Sequence, residues 1–411
     1  MSNRVVITGM GAVTPVGNDV ESFWKGIKSG TLGIDFIKSI DTSELDVKIA
    51  GEVKDFDPQD CLDKKETRRL DKFTQYAIVA SEEAIRNSGL NLDQIENDRF
   101  GVMVGSGIGG FHTHESEFKN LHNKGAKRVS PMYIPMTIIN AAAANIAIRY
   151  KAKAICTSAV TACATGTNNI GDAFRYIKDG YADVMICGGT EASITPIAIA
   201  GFSNMRALNS DNNPKKASIP FDKERTGFVM GEGAGIFIIE SLEHAQKRGA
   251  KIFGEIVGYG STCDAYHITS PDPNGEGAAK AMSYAIKEAK INENEISYIN
   301  AHGTSTTYND LFETIAIKKV FKENAYNIPV SSTKSMTGHL LGAAGAIEAI
   351  VCIKALCEGF IPPTIGYENK DELLDLDYVP NVGRNCDLKY AISNSLGFGG
   401  HNASLLFKRW E

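Results

Sequence analysis

The sequence predicts an α/β protein made of two related halves, residues 1–250 and 251–411. Three observations predict it. Short apolar strands ended by glycine alternate with helical patterns along the chain, the signature of a buried, mostly parallel sheet. Ile155 to Gly180 and Val330 to Gly359 follow one plan: strand, small polar turn, long helix, closing glycine. Val184 to Gly189 and Ile392 to Asn394 each lead through glycines toward a later strand. No low-complexity linker separates the halves, so they are expected to pack as one body.

Each element has a local reason. Val5 to Thr8 is an apolar strand stopped by Gly-Met-Gly. Thr74 to Asn87 reads as a helix with Gly89 as its stop. Gly101 to Gly105 is a strand running into Ser-Gly-Ile-Gly-Gly. Ala154 to Cys156 is a short apolar run, and Ile170, Ala173, Phe174 and Ile177 then fall at helical spacing. Val184 to Cys187 and Gly235 to Glu240 are further strands. Between them, Asn204 to Asp222 is polar, broken by prolines, and reads as surface loop. Gly275 to Lys290 reads as a helix and Ile296 to Asn300 as a strand. Leu340 to Leu356 is apolar on nearly every side, so that helix should be buried.

Composition narrows the function. Of 411 residues, 43% are hydrophobic and 22% charged, ordinary for a globular protein. A net charge of −6 argues against nucleic acid as a general partner. No apolar run approaches the roughly 18 residues of a membrane span. The start, MSNRVVITGMG, lacks the basic end and long apolar core of a signal peptide. The eight cysteines are scattered, with no CxxC pair and no metal spacing with histidine. A cytoplasmic, reduced protein without a bound metal is expected. The glycine-rich stretches at 105–110 and 397–400 lack the lysine of a phosphate loop and the spacing of a dinucleotide fingerprint. No cofactor is expected.

The chemistry centres on Ala159 to Gly166, AVTACATG, where Cys163 sits between a strand and a helix. Helix N-terminal N–H groups favour thiolate over thiol and can hold an oxyanion. Taken alone, a lone cysteine of this kind is more often a small packed thiol. His302 follows a strand end in Asn300-Ala-His-Gly-Thr-Ser-Thr306, with hydroxyls around it. His339 opens the apolar helix, which carries Glu348; Lys334 is its nearest candidate counter-ion, whether structural or catalytic. Phe398 stands between glycines, as a gate or as a core residue. One thiol, two histidines and a Lys/Glu pair make an acyl-transfer apparatus.

These motifs together carry a family resemblance. Thr161-Ala-Cys163-Ala-Thr-Gly, Asn300-Ala-His302-Gly-Thr-Ser-Thr306, Thr333-Lys334-Ser-Met-Thr-Gly-His339 and Asn394-Ser-Leu-Gly-Phe398-Gly-Gly resemble the β-ketoacyl-acyl-carrier-protein synthases. Gly227-Phe-Val-Met-Gly-Glu-Gly-Ala-Gly235 and Asp264-Ala-Tyr-His-Ile-Thr-Ser270 are similar to the elongating type II members in particular. The similarity runs the length of the chain. It implies a thiolase-like five-layered αβαβα fold of two related halves, a homodimer, and an acyl carrier protein as partner.

The resemblance also implies roles. Cys163 would be the acyl-accepting nucleophile, and His302 and His339 would serve the malonyl half-reaction. Lys334 and Glu348 would support the site, Phe398 would be the gate, and the N–H groups of Cys163 and Phe398 would form the oxyanion hole. Thr304 and Thr306, with Thr269 and Ser270 nearby, would bind the pantetheine arm. Ile108, Tyr133 and Phe202 would line the acyl tunnel. An acidic carrier should dock on basic residues: Lys64, Lys65, Arg68 and Arg69; Lys124, Lys127 and Arg128; and Arg206. The implied reaction is decarboxylative condensation with malonyl-carrier in fatty acid elongation; a stand-alone polyketide or other secondary-metabolite ketosynthase is the alternative. A non-catalytic chain-length partner would lack the cysteine that is present here. Two departures stand out: Thr307 replaces a proline common after this histidine motif, and Leu396 replaces a common aromatic residue.

Overall fold

The computed structural model describes residues 2–411. Ten strands form one continuous sheet: β1 (Val5–Val13), β2 (Phe100–Gly105), β3 (Cys156–Thr157), β4 (Val184–Glu191), β5 (Gly233–Ser241), β6 (Gly254–Cys263), β7 (Tyr298–Asn300), β8 (Val330–Ser331), β9 (Tyr390–Gly397) and β10 (His401–Arg409). Their spatial order is β8-β7-β9-β10-β6-β1-β5-β4-β2-β3. Read inward from either end, each set of five runs third, second, fourth, fifth, first in chain order. The halves are therefore related by a pseudo-twofold axis, and β1 pairs antiparallel with β6 where they meet.

The sheet corrects one expectation. It is mixed rather than mostly parallel. Only the outer pairs β2–β3, β2–β4, β7–β8 and β7–β9 are parallel. The inner strands pair antiparallel. Apolar runs bounded by glycine report burial on both faces; they carry no information on strand direction.

Helices complete the five layers. α1 (Lys72–Ser88) and α3 (Ala141–Tyr150) cover the outer face of the first half-sheet, enclosing Phe73, Tyr76, Ile146 and Val102. Asp71 caps α1, and Gly89, at φ 63°, ends it as expected. α6 (Glu276–Ala289) and α7 (Thr307–Phe321) cover the second half-sheet, enclosing Met282, Ile317 and Ile392. The central layer is α4 (Thr165–Lys178) beside α8 (Ala344–Glu358). Every residue of α8 from Ala344 to Leu356 is buried, which explains its all-round apolar composition. α8 starts at Ala344, after a 3-10 turn at Leu341–Ala343, rather than at Leu340.

Glycine brings the two central helices together. A Cβ on Gly166 would lie 2.9 Å from Ala346 N, and one on Gly345 would lie 1.9 Å from Thr167 Oγ1. Both N-termini thus meet at the middle of the molecule, with their unpaired N–H groups converging. Another expectation is corrected nearby. Ala217 to Asp222, the end of the stretch read as surface loop, is buried. Phe221 stacks on Tyr378 at 4.0 Å, and Ser218 Oγ donates to Lys334 O at 2.7 Å.

Candidate active site

Cys163 lies in the single 3-10 turn Ala162–Ala164 that joins β3 to α4. The turn is tied down on both sides. Thr161 N donates to Thr165 Oγ1 at 2.9 Å, and Thr161 Oγ1 to Asn168 Oδ1 at 2.7 Å. Asn169 bridges Ala159 through both its side-chain atoms. Ala162 is held at φ 49°, a costly conformation for a residue with a Cβ, directly before the thiol. The turn between β9 and β10 approaches from the other half. A Cβ on Gly397 would sit 2.6 Å from Thr161 O and 3.2 Å from Cys163 N, so glycine is what lets the two turns touch.

The N–H groups of Phe398 and of Cys163 itself point at Sγ. They and Lys334 favour the thiolate, but burial outweighs them and pushes the thiol up to about 12. The expected lowering by the helix N-terminus is therefore overturned in the free protein. Loss of water around a small anion costs more than a helix dipole end returns.

The histidines come from the second half. His302 follows β7 on a loop held from behind: its N–H and that of Gly303 both donate to Glu313 of α7 at 2.8 Å. Its carbonyl accepts from Lys334 Nζ at 2.5 Å. Lys334 also pairs with Glu348 of α8, and both side chains are 1% exposed. His339 is fixed by backbone, donating to Val229 O at 2.7 Å and accepting from Gly231 N at 2.8 Å. The two rings stand edge to face, centroids 5.2 Å apart. Burial, then the Lys334 charge, holds both well below the ordinary histidine value, so both are neutral. Both Nδ1 atoms are buried without a partner. Burial pushes Glu348 and Glu313 up to about 7 despite their donors.

A cavity of about 310 Å³ brings Cys163, His302, His339 and Phe398 together. Thr304, Thr306, Thr269, Ser270, Phe202 and Arg206 line it too. Thr304 and Thr306 share a hydroxyl hydrogen bond of 2.9 Å. Lys334 and Glu348 lie behind the wall. Ile108 and Tyr133 are not on this cavity: Ile108 packs against the same apolar cluster as Cys163 and Phe202 but lines a second cavity, and Tyr133 bonds to His114 beside it. The other basic residues do not line the cavity. Lys64 and Lys65 start a short exposed helix followed by Arg68 and Arg69, and Lys124, Lys127 and Arg128 end α2 (Phe111–Lys124) and the turn after it.

Comparison with known proteins gives the family. The β-ketoacyl synthase N-terminal domain matches residues 2–245, and the C-terminal domain matches residues 253–368. The chain belongs to the β-ketoacyl synthase family. Within the family it is 52% identical over 409 residues to a Synechocystis protein named 3-oxoacyl-[acyl-carrier-protein] synthase 2, covering 99% of this chain and 98% of that one. It is 54% identical over 410 residues to the protein of that name from Staphylococcus aureus strain COL, covering 100% and 99%. A Burkholderia phymatum β-ketoacyl synthase superposes with a TM-score of 0.92 at 34% identity over 100% of both chains. A type II polyketide ketosynthase, solved with its acyl-carrier protein and a hexaketide, superposes at 0.93 and 34% over 100% of both.

Two residues of this family member escaped sequence reasoning. Glu313 shapes the His302 loop; its only signal was an acidic residue on the buried side of an otherwise mixed helix. Glu191, at the end of β4, accepts from Ser106 Oγ (2.8 Å), Gly107 N (2.9 Å), Ser193 Oγ (3.0 Å) and Gly342 N (3.0 Å). It clamps three loops under the cysteine turn. Asn300 Oδ1, Glu348 Oε2 and Ser393 Oγ are buried oxygens without a hydrogen-bond partner. Oxygen donors of that type suit a hard cation. Among the described residues, no cluster of three or more His, Cys, Asp or Glu side chains is placed to hold a metal.

Proposed function

We propose that this chain condenses an acyl group held on Cys163 with malonyl-acyl-carrier protein, releasing CO2 and giving the 3-oxoacyl-carrier of fatty acid elongation. The observation that carries it is one cavity shared by a thiol with two N–H groups aimed at it and two neutral histidines. The full-length identity to proteins named 3-oxoacyl-[acyl-carrier-protein] synthase 2 supports the elongating assignment over a secondary-metabolite one.

The chemistry follows from the protonation states. With its thiol pushed up to about 12, Cys163 reacts by exchange: its sulfur takes the acyl group and the proton ends on the departing carrier thiol. The N–H groups of Cys163 and Phe398 hold the tetrahedral oxyanion. A buried, unpartnered Nδ1 is cheaper as an acceptor than as a donor, so Nε2 of each histidine carries the proton. Both Nε2–H groups then donate to the malonyl thioester oxygen. The bond to the carboxylate breaks, CO2 leaves, and the enolate charge rests between two neutral donors. The enolate carbon attacks the acyl-Cys163 carbonyl. A carbon–carbon bond forms, the carbon–sulfur bond breaks, and the thiolate recovers a proton from water.

A second copy of the chain completes the enzyme. β3 is exposed at both residues, whereas its pseudo-symmetric counterpart β8 is buried at both. Ile134, Ile138, Ile148 and Val160 are 60%, 44%, 78% and 45% exposed around that edge. An unpaired strand edge beside apolar side chains is covered by a partner. The carrier docks at the cavity mouth, where Arg206 supplies positive charge. Labelled acyl-carrier tests the reading. Label should join the wild-type chain and not Cys163→Ala; label on the variant would refute the nucleophile.

A further inference from the structure

The pseudo-twofold that relates the halves also duplicates the cysteine turn. The turn Ala162–Ala164 runs into α4 at Thr165, and the turn Leu341–Ala343 runs into α8 at Ala344. Cys163 and Gly342 are the middle residues of these two turns. The residue before each is left-handed, Ala162 at φ 49° and Leu341 at φ 47°. Each turn is met by the end of a strand from the opposite half. Gly397, the last residue of β9, lies against Cys163; Glu191, the last residue of β4, lies against Gly342. Both strands stand third from the outer edge of their half-sheets. A Cβ on Gly342 would lie 2.3 Å from Gly107 N and 2.9 Å from Glu191 Oε2, so the second turn has room for a carboxylate only because it carries no side chain. Glu191 Oε2 accepts from the N–H groups of Gly107 and Gly342, and Oε1 accepts from the hydroxyls of Ser106 and Ser193. Ser106 Oγ itself accepts from Gly109 N at 2.9 Å, so its proton is committed to the carboxylate. Glu191, Ser106 and Ser193 are all fully buried. Four donors and no acceptor make the surroundings of a bound anion.

We infer that Glu191 is a positioning residue, a built-in anion that plugs the second, cysteine-free turn and locks the His339 segment to the cysteine turn. Gly342 lies three residues after His339. Gly107 packs against the cysteine turn, where a Cβ on it would lie 3.4 Å from Ala162 O. One carboxylate therefore ties together the segments that carry the nucleophile and one of the two histidines. Without it four buried donors lose their acceptor and the segments can part. A shift of about 1 Å between reacting groups costs on the order of a hundredfold in rate. The carboxylate also faces the thiol: the Lys334 charge favours the Cys163 thiolate, and Glu191 opposes it. Removing the side chain leaves a hole lined by donors that a small carboxylate can refill. The inference rests on the proposed function where condensation is the readout, and is independent of it where the readout is the acidity of the thiol.

The test uses the full-length enzyme. Glu191→Ala should lower kcat for condensation at least about tenfold, and sodium formate should restore it saturably. Sodium chloride at the same ionic strength should not, and wild type should not respond to formate. Iodoacetamide should alkylate Cys163 at pH 9, read on its own peptide by mass spectrometry, about tenfold faster in Glu191→Ala than in wild type, because the opposing charge is gone. Formate should slow that reaction again. Glu191→Gln keeps the shape and loses the charge; it should alkylate fast and ignore formate, and it carries the test if Glu191→Ala does not fold. A folded Glu191→Ala indifferent to formate in both readouts, or a Glu191→Gln that alkylates and condenses like wild type, would overturn this inference alone. Failure of wild type to form acyl-Cys163 would instead remove the proposed function and leave the alkylation result standing.

Discussion

At the scale of single residues, protonation decides the roles. The thiol of Cys163 is pushed up to about 12, so its thiolate fraction rises about tenfold per pH unit across the neutral and mildly alkaline range. Iodoacetamide labelling should therefore climb steadily from pH 7 to about pH 10. A plateau near the ordinary cysteine value of about 8.5 would show a thiol activated in the free enzyme. The histidines have the opposite linkage to stability. Their folded values lie well below the unfolded one, so the unfolded chain takes protons first as pH falls. Their contribution to stability is intact above about pH 6.5 and is lost progressively below it. Lys334 and Glu348 are a pair to be kept or lost together. Removing Lys334 alone leaves a buried carboxyl unpaired and should cost about 3–5 kcal/mol, whereas Lys334→Met with Glu348→Leu should recover most of the melting temperature. Activity should return with neither, because Lys334 also holds the His302 carbonyl. That Cys163, both histidines and this pair belong to one site was legible in the sequence because each sits in a short motif. The thiol's high value was not: desolvation depends on what packs around Sγ, and that comes from the other half of the chain.

At the scale of elements, the site is set by how closely two helices and two turns approach. Gly345→Ala would drive a Cβ into Thr167 Oγ1, and Gly166→Ala would press one on Ala346 N. Each should cost about 1–3 kcal/mol in a thermal or urea melt and slow acylation more than a Gly→Ala change at the exposed Gly201, whose Cβ would meet nothing within 4 Å. Element types were readable from apolar periodicity and glycine stops, as for Lys72–Ser88 ending at Gly89. Strand direction was not, because β5 and the inner part of β10 are buried on both faces as a parallel strand would be. The buried 217–222 segment was missed for a related reason. Its polar residues and its proline look like surface, but Phe221 N and Ser218 Oγ find internal partners in the second half, as does Arg225 just beyond it.

At the scale of the whole molecule, the pseudo-twofold divides the work. In the proposed reaction the first half holds the chain on Cys163, and the second half supplies His302 and His339 to make the carbanion. Two copies should sediment together, and a charge introduced on the exposed face of α3 beside β3, Ile148→Lys, should shift the mass toward one chain without disturbing the buried core. Carrier binding should weaken as salt is raised if the proposed docking on Arg206 and the two exposed basic clusters is electrostatic. The internal repeat was visible in the sequence as pattern, while the meeting of the two reactive turns depends on contacts such as Gly397 against Thr161, far apart in the chain. The division of labour is tested most directly by measuring CO2 release from malonyl-carrier and acyl-enzyme formation in the same two variants. Cys163→Ala should keep releasing CO2 while forming no acyl-enzyme, and His302→Ala should form acyl-enzyme while releasing none. If Cys163→Ala, folded as judged by its melt, released no CO2, or if His302→Ala released it at the wild-type rate, the two halves would not divide the reaction in this way.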